Sequence, residues 1–166
     1  MLLAGVAFTF TLTLASGAHA HCTANETVVF TCASGGKIAA VCASRNVTPT
    51  SGYAQYRFGA PGRALELILP EGEVHPTKAA YAAFDSYSGG GVSWMRFRRG
   101  AYAYVVYRGM VRRGGPGGAA PFKEGVVVEQ NGKMIAHLKC VANNIGELGP
   151  NWFEQAGFKH NYQEEF

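Results

Sequence analysis

Cys22, Cys32 and Cys42 stand ten residues apart just behind an apolar leader, and Cys140 lies far downstream. An even cysteine count behind a leader describes an exported chain crosslinked in an oxidising compartment. This constrains the fold more tightly than composition does, because Cα atoms joined by a disulfide lie within about 7 Å of each other. The architecture must bring the four positions together in pairs and leave no thiol over.

The leader is residues 1–20, expected to be a signal peptide. It holds no Asp, Glu, Lys or Arg, and residues 2–14 are apolar apart from Gly and Thr. Ala18-His19-Ala20 offers small residues where a signal peptidase reads, so cleavage is expected between Ala20 and His21. The apolar run is short of the roughly 20 residues a membrane-spanning helix requires. His21, not a small residue, precedes Cys22, which argues against a lipid anchor there. The mature chain, residues 21–166, is expected to be a single disulfide-bonded β domain, able to bury roughly 70% of its unfolded surface. Charged residues make up only 16% of the chain, against roughly 25% in an average protein. With its many aromatics, this is the composition of a chain that folds.

Apolar residues recur with period two, the pattern of half-buried strands. Residues 27–33 place Val28, Phe30 and Cys32 on one face, and 37–43 place Ile38, Ala40 and Cys42 on one face, with Gly35-Gly36 turning between them. Residues 53–58 form a strand that sets Tyr56 with Phe58, and 64–69 alternate as far as Pro70. The alanine-rich stretch 77–84 predicts one or two helical turns. A hairpin over 92–98 and 101–107 turns at Arg99-Gly100, setting Phe97 opposite Tyr102 and Met95 opposite Tyr104. Its other face carries Trp94, Arg96, Val105 and Tyr107. Asn131-Gly132 turns a third hairpin between 125–129 and 133–141. The glycine-rich stretches 88–91 and 114–118 are loops. Asn151 is expected to cap a short C-terminal helix, with Glu154 as its reciprocal partner and Gly157 as its stop. The fold class is all-β with minor α, an antiparallel sandwich or small barrel of about seven or eight strands.

Four cysteines permit three connectivities. With Gly35-Gly36 at the turn, Cys32 falls opposite Ala39, near the turn end of its hairpin. Cys42 falls opposite Val29, near the open end, where Cys22 also lies. The expected bridges are Cys22–Cys42 and Cys32–Cys140, the second tying the first hairpin to the last. A metal or redox role for these residues lacks any Cys-x-x-Cys pair.

The net charge of +4 is unevenly spread: Arg96, Arg98, Arg99, Arg108, Arg112 and Arg113 lie between Asp85 and Glu124 with no acid among them. In an exported chain such a block suits an acidic polymer, an anionic membrane surface or an acidic protein better than nucleic acid. The plainer alternative is a solvated face. Asp85 is the sole aspartate, and the densest glutamates, Glu66, Glu71 and Glu73, sit in no motif. Gly-x-Ser-x-Gly, His-Glu-x-x-His and phosphate-cradling loops are missing, so no catalytic residue, metal site or cofactor is assigned. The candidate binding residues are Tyr56 and Arg57 on one strand and Trp94, Arg96 and Tyr107 on the second hairpin. Rings beside guanidinium groups suit sugar stacking or a protein hot spot. The competing reading makes half of them core, with arginine stems lying over it. Cleavage before His21 raises one metal alternative, a terminal histidine chelating copper through its amine and ring. His75, His137 or His160 would be the second ligand. This arrangement resembles secreted copper oxygenases that attack polysaccharides, and small periplasmic copper carriers. Asn25-Glu26-Thr27 and Asn46-Val47-Thr48 match the glycosylation sequon.

The run Cys22-x-x-Asn25-Glu26-Thr27-Val28-Val29-Phe30-x-Cys32, then Val41-Cys42-Ala43-Ser44, then Tyr56-Arg57-Phe58-Gly59, is similar to a group of short exported proteobacterial proteins. The stretch from Ile135-Ala136 to Cys140 and Leu148-Gly149-Pro150-x-Trp152-Phe153 fit the same pattern. That group has no assigned activity, so the resemblance implies export and no site residues. The architecture more loosely resembles the small β-barrel inhibitors that bacteria keep in the periplasm against host lysozyme, a likeness of fold alone. The expected function is that of a periplasmic or secreted, non-catalytic envelope protein binding a glycan, an anionic surface or a protein partner. Lysozyme inhibition and copper binding are the alternatives.

Overall fold

The computed structural model describes residues 21–88, 90–111, 122–141 and 146–159. Two of its hairpins start from turns that few residues can make. Gly35 and Gly36 have φ of 58° and 76°, and Asn131 and Gly132 have 50° and 72°. This left-handed pair matches the twist of the flanking strands. The first sheet runs β1 (Glu26–Ser34), β2 (Lys37–Ser44), β3 (Ala54–Gly59) and β4 (Leu67–Leu69), each antiparallel to the next. A short α1 (Pro76–Ala79) leads into the second sheet: β5 (Tyr81–Tyr87), β6 (Gly90–Arg99), β7 (Tyr102–Val111), β8 (Phe122–Gln130) and β9 (Lys133–Lys139), again an antiparallel meander. A last helix, α2 (Pro150–Gln155), follows.

The two sheets share one core. Tyr56 from β3 stacks on Tyr104 of β7 at 5.4 Å and leans on Phe97 of β6 at 5.8 Å. Phe30, Val41 and Leu69 join it from the first sheet, and Met95, Val106 and Val126 from the second. Trp152 and Phe153 of α2, with Phe158 beyond it, pack their rings into the same core. The all-β antiparallel expectation is met as this two-sheet arrangement. Both bridges form as expected, Cys22–Cys42 with Cα atoms 5.3 Å apart and Cys32–Cys140 with 4.9 Å. No described helix is long and apolar enough to cross a membrane.

The expected alternation along β1 is broken by a bulge. Val28 opposes Cys42 and Phe30 opposes Val41, so Val29 is the extra residue. Cys42 therefore lies opposite Val28, not Val29, while Cys32 does lie opposite Ala39. The bulge parts Val28 from Phe30 and Cys32. Val28 packs outside the sheet with Cys22, Ile38, Ala40 and Cys42, while Val29, Phe30 and Cys32 enter the core. Cys32, opposite Ala39, and Cys42, three residues further along β2, point to opposite faces and so serve different bridges. The returning chain covers the bulged edge: the Glu147 N–H donates to the Val28 carbonyl and the Leu148 N–H to that of Val29. A side chain at Gly146 would put its Cβ 2.6 Å from the Val29 carbonyl oxygen.

Further expectations are corrected. Helix is limited to α1, and the rest of the alanine-rich stretch is strand β5, paired with β6 along its length. Alanine's helical preference is worth only tenths of a kcal/mol per residue, which full pairing and the burial of Ala82 outweigh. The second hairpin turns at Gly100-Ala101, with Gly100 at φ 57°, the first central position where a II′ turn takes glycine. Phe97 thus opposes Tyr104 and Met95 opposes Val106. The slip is two residues, so every side chain keeps its face. Pro150, with its fixed φ, occupies the first turn of α2 and Gly149 its N-cap, displacing Asn151 from that role; Gly157, at φ 80°, ends the helix as expected. Residues 64–69 contribute only the short β4, and Gly90 and Gly91 belong to β6. The leader, the 114–118 loop, Arg112, Arg113 and His160 lie outside the described residues.

Candidate binding face

The five candidate residues do not share one surface. Tyr56 is 1% exposed, and burial pushes its hydroxyl pKa well up. Arg57, its neighbour, faces the other side of the first sheet. There residues 21–25 fold across the strands, pinned by Cys22–Cys42. The Arg57 guanidinium grips Glu26 with both arms, Nη2 to Oε1 at 2.7 Å and Nη1 to Oε2 at 2.9 Å, and also donates to the His21 carbonyl at 2.8 Å. The Glu26 side chain is 2% exposed and accepts further bonds from the Thr23 N–H and the Tyr53 hydroxyl. Burial alone would raise the Glu26 pKa. The bonds from Arg57, Thr23 and Tyr53 and the Arg57 charge outweigh it and hold the carboxyl down at about 2. The same burial and the Glu26 charge push Tyr53 up to about 12. Tyr56 and Arg57 thus sit in the core and in a closed ion-pair network.

Trp94, Arg96 and Tyr107 are brought together, on the outer face of the second sheet. Trp94 and Tyr107 are direct partners across β6 and β7. The pairing sets one row of Ala83, Trp94, Tyr107, Gly125 and Lys139 across five strands, and beside it Tyr81, Arg96, Val105, Val127 and His137. Each ring is held. The Trp94 indole N–H donates to Asp85 Oδ2 at 2.8 Å, and the Arg96 guanidinium lies 5.9 Å from the Trp94 ring centre. Arg96, largely buried, also reaches Glu129 at 3.4 Å. Tyr107 lies across Gly125, where a Cβ would stand 2.6 Å from its hydroxyl oxygen. The hydroxyl therefore crosses β8 and shares a hydrogen bond with His137 Nε2 at 2.7 Å. Burial raises the Tyr107 pKa. Arg98 stands 5.9 Å from the ring centre of Tyr81, which is 51% exposed. Lys123 and Lys139 are exposed at the margins.

Sequence reasoning missed Tyr81, Gly125 and His137 as parts of this face. Their signal is the register of the five strands: once Gly125 is known to oppose Tyr107, the missing side chain explains how the ring can lie flat. Those of the histidines proposed for copper that are described are engaged separately. His21 Nε2 donates to the Gly59 carbonyl, His75 bonds Thr77 and the Thr48 carbonyl, and His137 bonds Tyr107. Among the described residues no group of three or more His, Cys, Asp or Glu could hold a metal ion. Glu66 pairs with Lys37 and Glu71 faces Arg99, both on exposed surface. Chemically, the face offers ring surfaces, fixed hydrogen-bonding groups and cations. No family model, curated protein or solved structure matches this chain.

Proposed function

We propose that this chain is an exported, non-catalytic protein of the cell envelope, periplasmic or secreted, that binds a ligand on the outer face of its second sheet. The ligand classes suited to rings beside cations are a glycan first, then an anionic surface or a protein partner. Export is supported by the apolar leader and by two disulfides, which persist in oxidising compartments. The observation that carries the binding role is the pair Trp94 and Tyr107, side by side on a partly exposed face with both polar atoms already bonded. Rings fixed in advance lose little side-chain freedom when a ligand settles on them. The test is sedimentation of the processed protein with isolated envelope fragments. Saturable binding that weakens with added salt is expected, since exposed cations are screened; no binding to any envelope fraction would contradict the reading.

A further inference from the structure

We infer that the row Trp94–Tyr107–Gly125–Lys139 is a subsite for an acidic oligosaccharide lying across the strands. This rests on the reading that the outer face of the second sheet binds a ligand. The row spans three strand spacings from β6 to β9, about 14 Å, the extent of several linked sugars and not of one. Its floor is flat because Gly125 has no side chain: a Cβ there would stand 2.8 Å from Tyr107 Cε1 and 2.7 Å from the Leu138 carbonyl oxygen. The rings present faces of negative quadrupole, suited to the weakly positive C–H side of a pyranose. Asp85, beside Trp94, and His137, beside Tyr107, are exposed polar groups placed for sugar hydroxyls.

Charge decides between a neutral and an acidic sugar. Of the two acids on this face, Glu129 is paired with Arg96, while Asp85 accepts from the neutral Trp94 indole and keeps its charge. Lys123 and Lys139 stand exposed around the row, and with Arg96 they outnumber Asp85 and Glu129 among these described residues, which suits a chain of uronic acids. A protein partner would be better served by an apolar anchoring site, whereas this row passes over a glycine and ends on a lysine.

The test uses hexamers of galacturonic and mannuronic acid, each compared with the same hexamer after carboxyl reduction. The chain has two tryptophans, and Trp152 is 2% exposed, so a change in emission on titration reports Trp94. At least one acidic hexamer is expected to bind saturably, and its reduced form about tenfold more weakly or worse. By calorimetry, Trp94→Ala should lose about tenfold, Gly125→Ala several-fold by displacing the Tyr107 ring, and Lys139→Gln should weaken only the acidic hexamer. Tyr107→Phe, which keeps the ring but loses the bond to His137 that fixes it, should weaken binding less than Trp94→Ala does. Equal binding of acidic and reduced hexamers would overturn the acidic assignment. So would no binding of either by protein that still sediments with envelope fragments, although the binding face would survive that result. Undiminished envelope sedimentation of folded Trp94→Ala would instead overturn the face itself, and the inference with it.

Discussion

On the first sheet, Tyr56 lies sealed between Phe97 and Tyr104, and Arg57 is locked onto a buried carboxylate beneath residues 21–25. On the second, Trp94 and Tyr107 remain partly exposed, each held by one hydrogen bond at its polar tip. The two strips are of similar composition, yet the first holds the fold together and the second is left accessible. The covering element makes the difference. Cys22–Cys42 draws residues 21–25 across the first sheet, so the guanidinium there meets a carboxylate and a carbonyl of its own chain. A guanidinium and a ring in sequence become a candidate binding pair only when nothing from the same chain lies on top of them.

This contrast can be broken by mutation, and the largest effect is expected at the bridge between the sheets. Removing Cys32–Cys140 as a double serine variant opens a loop of 108 residues and should cost about 5 kcal/mol in the chain-entropy account. Removing Cys22–Cys42, with its separation of 20, should cost about 3 kcal/mol. Denaturant midpoints measure both, and equal losses would contradict the account. Next comes Tyr56→Ala, which empties the centre of the shared core and should cost about 3–5 kcal/mol.

The ion pair adds a pH window of about 3 kcal/mol. Glu26 is held near pH 2 in the folded chain against 4.5 when free. Its depressed pKa gives stability that is complete above 4.5 and is lost as pH falls from 4.5 toward 2. Glu26→Gln should flatten the stability profile across that window, and an unchanged profile would show that the carboxylate is not clamped as described. The smallest effect is expected on the second sheet. Trp94→Ala should change stability by about 1 kcal/mol or less, measured by the same unfolding curves.

Much of the framework was legible in the sequence because turns and alternation are local. Gly35-Gly36 and Asn131-Gly132 demand positive φ at two successive positions, and the strands follow on either side. The disulfide pairing was legible because hairpin geometry ranks the cysteines by distance from the turn. The bulge at Val29 was not: one extra residue leaves the apolar pattern nearly intact, and the segment that bonds its carbonyls, 146–148, is distant in sequence. The strand over Tyr81–Tyr87 was hidden for a related reason, since pairing with β6 overrides what alanine prefers alone. At the candidate face, Trp94, Arg96 and Tyr107 were found by alternation within one hairpin. Tyr81 comes from the strand next to that hairpin and His137 from the second strand beyond it, and only the register of the whole sheet reveals them. Tyr56 and Arg57 were singled out by residue type, and residue type does not reveal a covering segment.

The most direct test measures envelope binding and unfolding midpoint together on Trp94→Ala/Tyr107→Ala. The account predicts that this variant stays folded with a midpoint close to wild type and that its binding falls by about tenfold or more. A folded double variant that sediments with envelope fragments as strongly as the parent would contradict it.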